Sequence, residues 1–477
     1  MRPVTMSYLP GDGLLREVSG ALLVIVAFAL VIALAQLWQR RAALPVEWSR
    51  KLIHVGGGVV AGFFPWLFAT HWTVLALGVG MGGVLWLARR GGWLPALHAV
   101  NRDSKGEFYY PLGVYLLFMV ARGQPVFYLI ALGALVLADT AAAVLGQRYG
   151  QTVFTDGGEV RSIEGSVAFF FVTFLAVHLP LLLLTSLPPA STVLVALQLG
   201  LLVTSFEAIS RGGNDNLLVP LATYYLLLEL TGRPAGDIAY QLTVQLAILV
   251  FTVVVARGTK FFTLAGAIAA HLMLYAAFSL GNPGWTVAPL LALAVCIALD
   301  GWFGRASGRP TGGQQVRAVY YVSIVSALLL FADNTFATLL PVTSLLQRGR
   351  PFFAAFVGAL GAQTAIMTFQ VLRRRPENGR RDRLRLLPLA SVSGFALIAL
   401  PGLLVGAGPA LGAGRPGWVS FVTAFALCLL SPPLYMALRL LVRPPADANR
   451  DLRLQALAVL IAVAIVVPFH LAWLASR

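Results

Sequence analysis

The most informative shortage in this sequence is that of charged residues. Only 11% of the 477 residues are Asp, Glu, Lys or Arg, whereas 58% are hydrophobic. Soluble domains carry about 25% charged residues, so this composition excludes an ordinary soluble protein and predicts an integral membrane protein. The two cysteines, Cys296 and Cys428, lie far apart in apolar runs, which argues against a disulfide framework or a thiolate metal site.

Acidic residues are the scarcer of the two charged classes. The chain has 19 Asp and Glu against 35 Lys and Arg, a formal net charge of +16. In a soluble protein this excess would indicate nucleic-acid binding, but the basic loops of a membrane protein set its orientation and face anionic lipid. We therefore expect a lipid bilayer as the partner surface and no nucleic acid.

Apolar runs long enough to cross the hydrocarbon core as helices recur almost without pause. They predict an all-α, polytopic integral membrane protein with about 14–16 transmembrane helices. The predicted crossings lie near residues 19–38, 52–69, 72–88, 108–121, 125–145, 165–186, 191–209, 216–231, 240–256, 261–280, 284–303, 318–340, 351–371, 386–409, 417–438 and 453–474.

Basic residues concentrate in alternate loops between these crossings. If the N-terminus is outside, the inner loops include the Arg-rich stretches around residues 40–51, 89–105 and 373–385. The positive-inside rule then predicts a multi-pass protein of a bacterial-type inner membrane whose polar loops face the cytoplasm. The chain also changes character near residue 235, beyond which acidic residues nearly vanish from the spans. We predict two membrane modules, 1–235 and 236–477.

Four polar stretches on the predicted cytoplasmic side carry most of the polar chemistry of the first module. In the first, EWSRKLIHVGGGVV, residues three or four apart share a helix face, so Arg50 and Lys51 neighbour His54. The second, NRDSKGEFYYPLG, contributes Lys105. The first stretch is also compatible with a basic membrane anchor followed by a glycine face for helix packing, and the second with a solvated turn.

The third stretch places Asp139 inside an apolar run. A carboxylate within a span costs about 2.5–3.5 kcal/mol, so it faces a cavity, a partner or an ion. Arg148 and Arg161 can add charge-assisted contacts to phosphate, and Asp139 and Glu164 can hold Mg²⁺ through oxygen ligands. Glycines in the loop can bring backbone N–H groups close to an anion: Gly146, Gly150, Gly157, Gly158 and Gly165. A structural ion pair between Asp139 and a neighbouring Arg is the alternative.

The fourth stretch, EAISRGGNDNLLVP, places Glu207 in a span and Asn214, Asp215 and Asn216 at the start of the next. Asn214 or Asp215 could instead cap that helix. Two groupings of carboxylate, glycine and Arg favour one shared site suited to phosphoryl transfer. The chain has no GxxxxGK[ST] phosphate loop and no kinase catalytic-loop sequence, which excludes the familiar soluble nucleotide folds.

Five motifs in order resemble the phytol kinase and dolichol kinase family: RKLIHVGGG, SKGEFYYPLGVYLL, LADTAAAVLGQRYG, RSIEGSVAFF and NDNLLVPL. The resemblance covers roughly residues 45–232. It implies a membrane-embedded polyprenol kinase that uses CTP or another nucleoside triphosphate with a divalent metal. The family is distantly similar to phosphatidate cytidylyltransferases.

The resemblance also implies roles for individual residues. Residues implied to line the nucleotide and metal site are Asp139, Gly146, Gly150, Ser162, Glu164 and Gly165. Arg50, Lys51 and His54 would stand near the phosphates, and Asp215 and Asn216 near the reacting alcohol. The sequence departs from the family at Arg161, where a Lys usually precedes Ser-x-Glu-Gly; guanidinium and ammonium place phosphate differently.

In the second module two stretches, FFTLAGAIAAHLMLYAAFSLGNPGWTVAPLLAL and RPTGGQQVRAVYYVSIVSALLL, resemble the membrane family that includes phytyl-phosphate kinase. That family's Asp-Thr pair is matched here only by GALGAQTAIMTF, in which Gln363 precedes Thr364 and no carboxylate follows. Without an acidic ligand, Mg²⁺-dependent chemistry is not expected there. We interpret this module as degenerate or repurposed.

The function predicted is transfer of the γ-phosphate of CTP or ATP, with Mg²⁺, to a long-chain isoprenoid alcohol. Two alternatives stay open at this stage. One is a CTP-dependent cytidylyltransferase that makes a CDP-lipid and releases pyrophosphate. The other is a lipid or small-solute transporter, indicated by the many spans and the carboxylate inside one of them. The sequence predicts no oligomeric state.

Overall fold

The computed structural model describes residues 13–42, 46–91, 106–156, 159–307, 315–339, 350–373, 382–406, 417–442 and 448–476. By internal contacts the chain forms two compact units, Met1–Thr243 and Val244–Arg477, and the division falls inside one long helix, Ala235–Thr259. In the described residues of each unit nearly all regular structure is helical. The predicted all-α class is confirmed.

The first unit consists of the following elements: α1 Gly13–Ala42, α2 Val46–Gly62, α3 Phe64–Leu67, α4 His71–Gly91, α5 Gly106–Val120, α6 Pro125–Gly133, a π-helical turn Ala134–Ala138, α7 Asp139–Tyr149, β1 Val153–Asp156, β2 Glu159–Ser162, α8 Ile163–Leu184, α9 Pro189–Ile209, α10 Asp215–Thr231 and the start of α11 Ala235–Thr259.

The second unit continues from α11 with these elements: α12 Leu264–Ala276, a π-helical turn Ala277–Gly281, α13 Pro283–Ser307, α14 Val316–Leu339, α15 Phe353–Arg373, α16 Asp382–Gly394, a π-helical turn Phe395–Ala399, α17 Leu400–Gly406, α18 Trp418–Leu441 and α19 Ala448–Ala475.

Twelve helices among the described residues are long and apolar enough to cross a membrane, and two shorter apolar helices, His71–Val84 and Phe108–Val120, accompany them. Each predicted crossing overlaps a helix. The segments predicted near 52–69 and 216–231 correspond to α2 and α10, which have 17 residues each. The polytopic membrane architecture is therefore confirmed.

The glycine triplet of α2 allows this helix to lie against its neighbours on two sides. A Cβ on Gly56 would stand 2.6 Å from Val31 of α1, and a Cβ on Gly58 would clash with Val136 of the π-helical turn. Only glycine permits so close an approach. The triplet therefore holds α2 against the helix that carries Asp139.

A short antiparallel hairpin follows α7 where the sequence predicted a glycine-rich loop. Strands β1 and β2 pair Phe154 with Arg161 and Asp156 with Glu159. Residues two apart on a strand point to the same face, so Glu159 and Arg161 project together. This hairpin positions charged side chains against the end of α9.

In the second unit the central helix is α15. Among the described candidate spans it is the most deeply buried, and every residue from Phe353 to Ile366 is buried. Trp285 of α13 packs on Phe353 and Phe356 at ring distances of 5.0 and 4.8 Å, and Gly358 admits the backbone of Ala424. A helix buried on all sides has room for polar groups only where they pair with one another.

Candidate active site

The centre of the candidate site is the carboxylate of Asp139. Lys51 Nζ lies 2.6 Å from Asp139 Oδ2, and His54 Nε2 lies 3.6 Å from the same oxygen. Both partners come from α2, whereas Asp139 is the first residue after the π-helical turn. The Lys51 side chain is 10% exposed and that of Asp139 23%, so the pair is largely enclosed.

The backbone around Asp139 departs from a regular helix. The residues before it form the π-helical turn Ala134–Ala138, which adds one residue to a helical turn and frequently marks a functional site. Thr140, next to Asp139, donates its hydroxyl back to Val136 O at 2.7 Å. The insertion changes the direction in which the following side chains project, so Asp139 faces α2.

Tyr110 completes the α2 side of the site. Its ring centroid lies 4.7 Å from that of His54, and its hydroxyl donates to the His54 carbonyl oxygen at 3.4 Å. These contacts hold the imidazole in place beside Asp139. The structure therefore brings Lys51 and His54 of the first polar stretch together with Asp139 of the third.

A second group of acids lies within electrostatic reach of Asp139. Asp215, the first residue of α10, and Glu207, near the end of α9, both interact with the Asp139 carboxylate. Burial raises the pKa of Asp215 above its usual value, and the Asp139 carboxylate adds to this shift. Asp215 Oδ1 is buried and has no hydrogen-bond partner among the described residues. An acceptor in that state is suited to a ligand.

Close backbone packing places α10 beside α5. A Cβ on Gly113 would clash with the carbonyl oxygen of Asn216, so glycine is required at this contact. The Asn216 side chain donates to Gly213 O at 3.2 Å, and Gly212 and Gly213 both have positive φ. The Gly-Gly turn thus sets where Asp215 begins its helix.

Arg161 connects the hairpin to the end of α9. Its Nε donates to Glu207 Oε1 at 2.8 Å and its NH1 to Ser210 O at 2.7 Å. Burial lowers the pKa of Arg161, but the carboxylates of Glu207 and Glu159 outweigh this and raise it. Glu159 also accepts the Gly212 N–H at 2.6 Å. In this arrangement Arg161 fixes the turn that leads to Asp215.

Ser162 and three of the predicted glycines form a tight seam between α7 and α8. Ser162 Oγ caps α8 by accepting the Gly165 N–H at 3.1 Å, and Gly150 donates its N–H to Gly146 O at 3.0 Å. A Cβ on Gly146 would stand 3.0 Å from Ser162 Oγ. These glycines therefore pack the helices together, and a role in holding nucleotide stays a prediction.

Of the remaining predicted residues, Glu164 and Arg148 contact other groups, Arg50 lies near Asp139, and Lys105 lies outside the described chain. Glu164 accepts the Thr152 N–H with both oxygens, at 3.1 and 3.3 Å. Arg148 is exposed, with its guanidinium 5.5 Å from the Tyr149 ring. Arg50 lies close enough to interact with Asp139. Lys105, with Gly157 and Gly158, lies outside the described residues.

The metal prediction named Asp139 and Glu164 as ligands, and it stays a prediction. Within the described residues no group of three His, Cys, Asp or Glu side chains has metal-binding geometry. Asp139 is seven residues before Gly146, about 10 Å along the helix axis, whereas Glu164 contacts the turn after α7. The acids within electrostatic reach of Asp139 are Asp215 and Glu207.

Glu207 is the residue that the sequence did not assign to the site. The sequence identifies Glu207 only as an acid inside a predicted span. Its partner Arg161 is 46 residues away in the chain, so only the fold reveals the contact. One feature of the sequence could have indicated this contact. A charge inside an apolar helix is costly, so Glu207 was expected to have a buried partner.

Fold and site together define a class: a multi-pass helical membrane protein with a buried cluster of cations and carboxylates at helix ends. Comparison with known proteins gives the family. The chain is 34% identical over 200 residues to a phytol kinase of Synechocystis, a match that covers 40% of this chain and 83% of that protein. The chain belongs to the phytol kinase family. No family model and no solved structure matches it.

Proposed function

We propose that this chain is an isoprenoid-alcohol kinase, which transfers the γ-phosphate of a nucleoside triphosphate to the hydroxyl of a long-chain isoprenoid alcohol. Membership of the phytol kinase family supports the reaction class. The observation that carries the proposal is the enclosed Lys51–Asp139 pair, 2.6 Å apart, with the unpartnered carboxylate oxygen of Asp215 nearby.

The basic residues of α2 are suited to bind the phosphates, Lys51 and Arg50 as cations and His54 as a hydrogen-bonding imidazole. Lys51, His54 and Arg50 are all electrostatic neighbours of Asp139, and they converge on one enclosed position. Arriving phosphate oxygens would accept from the Lys51 ammonium, which carries three donors. Phosphoryl transfer depends mostly on such positioning and charge stabilisation.

The carboxylates fit a magnesium ion that arrives with the nucleotide. Mg²⁺ is usually held by one or two carboxylates together with substrate phosphates, not by an all-protein cage. Asp139 alone meets this requirement, so no further protein ligand is needed and the unpartnered oxygen of Asp215 stays available. Bound there, Mg²⁺ would neutralise charge on the phosphates.

The reaction needs an acceptor for the hydroxyl proton. As the alcohol oxygen forms its bond to the γ-phosphorus, the bond from phosphorus to the bridging oxygen breaks and the nucleoside diphosphate leaves. The proton passes to a carboxylate, and Asp215 with its raised pKa suits this role. Asp139 would hold the metal while Asp215 accepts the proton. Glu207 is held by Arg161.

The apolar surroundings explain why the acceptor is a lipid. Large side chains are exposed on the outer faces of the first unit's helices, among them Leu183 and Phe171 of α8, as expected for helices in hydrocarbon. An isoprenoid chain can then reach the site from within the bilayer. We further propose that CTP or ATP and Mg²⁺ enter from the cytoplasm across a bacterial-type inner membrane, as the basic loops predict.

The test is phosphate transfer by the purified full-length chain. The chain is incubated with Mg²⁺ and either γ-labelled CTP or γ-labelled ATP, together with phytol, geranylgeraniol or a longer polyprenol. We expect a labelled prenyl monophosphate and free nucleoside diphosphate. Release of pyrophosphate with a CDP-lipid would identify a cytidylyltransferase instead, and no transfer to any alcohol would refute the proposal.

The variant Asp139→Asn tests whether phosphate transfer takes place at the Asp139 carboxylate. It should lower kcat by about a thousand-fold, because a charge that stabilises the transferring phosphate and its metal is lost. The matched control is Asp237→Asn, the same change at an exposed carboxylate of the first unit, which should retain full activity. Equal activities of the two folded variants would place the site elsewhere.

A further inference from the structure

The second unit contains a cavity that the proposed kinase chemistry does not use. Its volume is about 450 Å³ and its wall is formed by residues of α12, α13, α14, α15, α18 and α19. Small-molecule sites in proteins typically measure about 300–1,000 Å³. Most of the wall is aliphatic, aromatic or sulfur-containing, for example Met273, Leu293 and Met367.

Polar groups collect at one end of this cavity. Asp300, Gln370, Arg439 and Asp451 line it, and each lies within about two turns of the end of its helix. Leu293 is seven residues before Asp300 on α13, about 10 Å further along the axis. The cavity thus runs from a polar end toward the apolar middle of the helices, as an amphiphile requires.

Asp451, at the polar end, already has a hydrogen-bond donor for each of its carboxylate oxygens. Asp451 Oδ1 accepts from the Tyr435 hydroxyl at 2.7 Å, and Oδ2 accepts from Gln370 Nε2 at 2.7 Å. Arg439 NH1 donates to the Tyr435 oxygen at 3.2 Å and lies 3.8 Å from Asp451. This network neutralises Asp451 with Arg439, which is the one cation among the described residues that line the cavity.

Asp300 is the acid that remains. Among the residues that the structure describes, none donates a hydrogen bond to its carboxylate or forms a salt bridge with it. The lining carries two carboxylates, Asp300 and Asp451, and one guanidinium, Arg439, so its net charge is negative. A phosphate or carboxylate headgroup would be repelled, whereas a hydroxyl donates a hydrogen bond to a carboxylate.

We propose that the second unit binds a long-chain alcohol in this cavity, with the hydroxyl on Asp300 and the chain along α13. That the alcohol is isoprenoid rests on the proposed function. The site would admit the unphosphorylated alcohol and reject its phosphate ester. In this proposal the second unit is a substrate-binding module that transfers no phosphate, and Gln363, in place of an acid, is consistent with it.

The experiment measures binding directly and needs no catalysis. The full chain in detergent is photolabelled with a geranylgeraniol carrying a diazirine on its chain, and the labelled peptides are identified by mass spectrometry. Label is expected in peptides of α13 and α15. Unlabelled geranylgeraniol should compete at least ten-fold better than geranylgeranyl phosphate, and phosphatidylglycerol should not compete.

Two variants test the site itself. Leu293→Trp fills the cavity and should reduce labelling of α13 at least ten-fold, whereas Leu290→Trp, the same change one turn away at an exposed position, should not. Asp300→Asn keeps the shape of the side chain and removes the negative charge, so the preference for alcohol over phosphate should fall about ten-fold.

Unchanged labelling in a folded Leu293→Trp variant would overturn the proposal, as would competition by the phosphate or by phosphatidylglycerol equal to that of the alcohol. If Leu293→Trp does not fold, the ratio measured with Asp300→Asn decides. Failure of the kinase assay with specific labelling of α13 would refute the proposed function and leave this inference standing.

Discussion

The two units contain locally similar sequences, but the polar residue within them is charged in the first unit and neutral in the second. In the first unit GALVLADTAAA carries Asp139, whose charge is met by Lys51 at 2.6 Å. In the second unit GALGAQTAIMT carries Gln363, whose amide donates to Gln455 at 3.0 Å. A buried charge must be compensated at a cost, whereas two neutral amides satisfy each other at little cost. Charge is therefore present where the proposed chemistry can use it.

The helices that carry these two residues also differ, in their regularity and in how exposed the polar residue is. Asp139 follows a π-helical turn and is 23% exposed, which leaves it access to a ligand. Gln363 lies in α15, a continuous helix, and is 2% exposed. The first arrangement suits a binding site, and the second suits specific packing between helices.

The largest effect should come from breaking the ion pair in the first unit. Lys51→Met leaves the Asp139 carboxylate enclosed without its main partner, which should cost on the order of 3 kcal/mol of unfolding free energy. The measurement is the loss of helical circular dichroism in a denaturant titration in detergent micelles. The double variant Lys51→Met with Asp139→Asn should recover most of the loss, because no uncompensated charge remains.

The control for this cycle is an exposed pair in the same unit. Arg233 and Glu229 form a salt bridge at 3.1 Å with side chains 33% and 44% exposed. Arg233→Met should cost less than about 1 kcal/mol, as exposed ion pairs do. If Lys51→Met costs no more than Arg233→Met, then the Asp139 pair contributes no more than an exposed one.

A smaller effect is expected at the neutral pair of the second unit. Gln363→Leu removes the donor to Gln455 and should cost about 1–2 kcal/mol, the usual penalty for a buried acceptor left unpaired. Thr364→Val is the control, since the Thr364 hydroxyl bonds only within its own helix, to Leu360 O. A loss at Gln363 as large as that at Lys51 would remove the contrast between the units.

Much of the helical architecture could be predicted from the sequence, because apolar runs of membrane-crossing length have few alternatives to a helix. The π-helical turn before Asp139 could not be predicted, since one extra residue in a uniformly apolar run leaves no periodic signal. The strands Val153–Asp156 and Glu159–Ser162 lie where the glycines predict a loop, because four residues are too few for a recognisable strand pattern.

The site was predictable as a set of residues but not as a set of contacts. The sequence singled out Lys51, His54 and Asp139, and it allowed that Asp139 is ion-paired to an Arg. The partner found is Lys51, 88 residues away, and such pairs form only through tertiary packing. The glycines around Ser162 illustrate the same limit, since their spacing fits an anion loop and a helix seam equally well.

The smallest of the expected effects concerns Arg161, where the charge can be kept while the geometry is lost. Arg161→Lys retains attraction to Glu207, but a single ammonium cannot reproduce the fixed geometry of the Nε and NH1 contacts to Glu207 and Ser210. The loss of one hydrogen bond should lower the unfolding free energy by about 1 kcal/mol. Arg233→Lys, at an exposed position, should change the unfolding free energy by less.

Because the Ser210 contact fixes the turn before Asp215, kcat of Arg161→Lys should also fall about ten-fold in the phosphate-transfer assay. Stability lost without any change in kcat would mean that this turn does not position the Asp215 carboxylate for catalysis, and the charge in the first unit would then act through Asp139 alone.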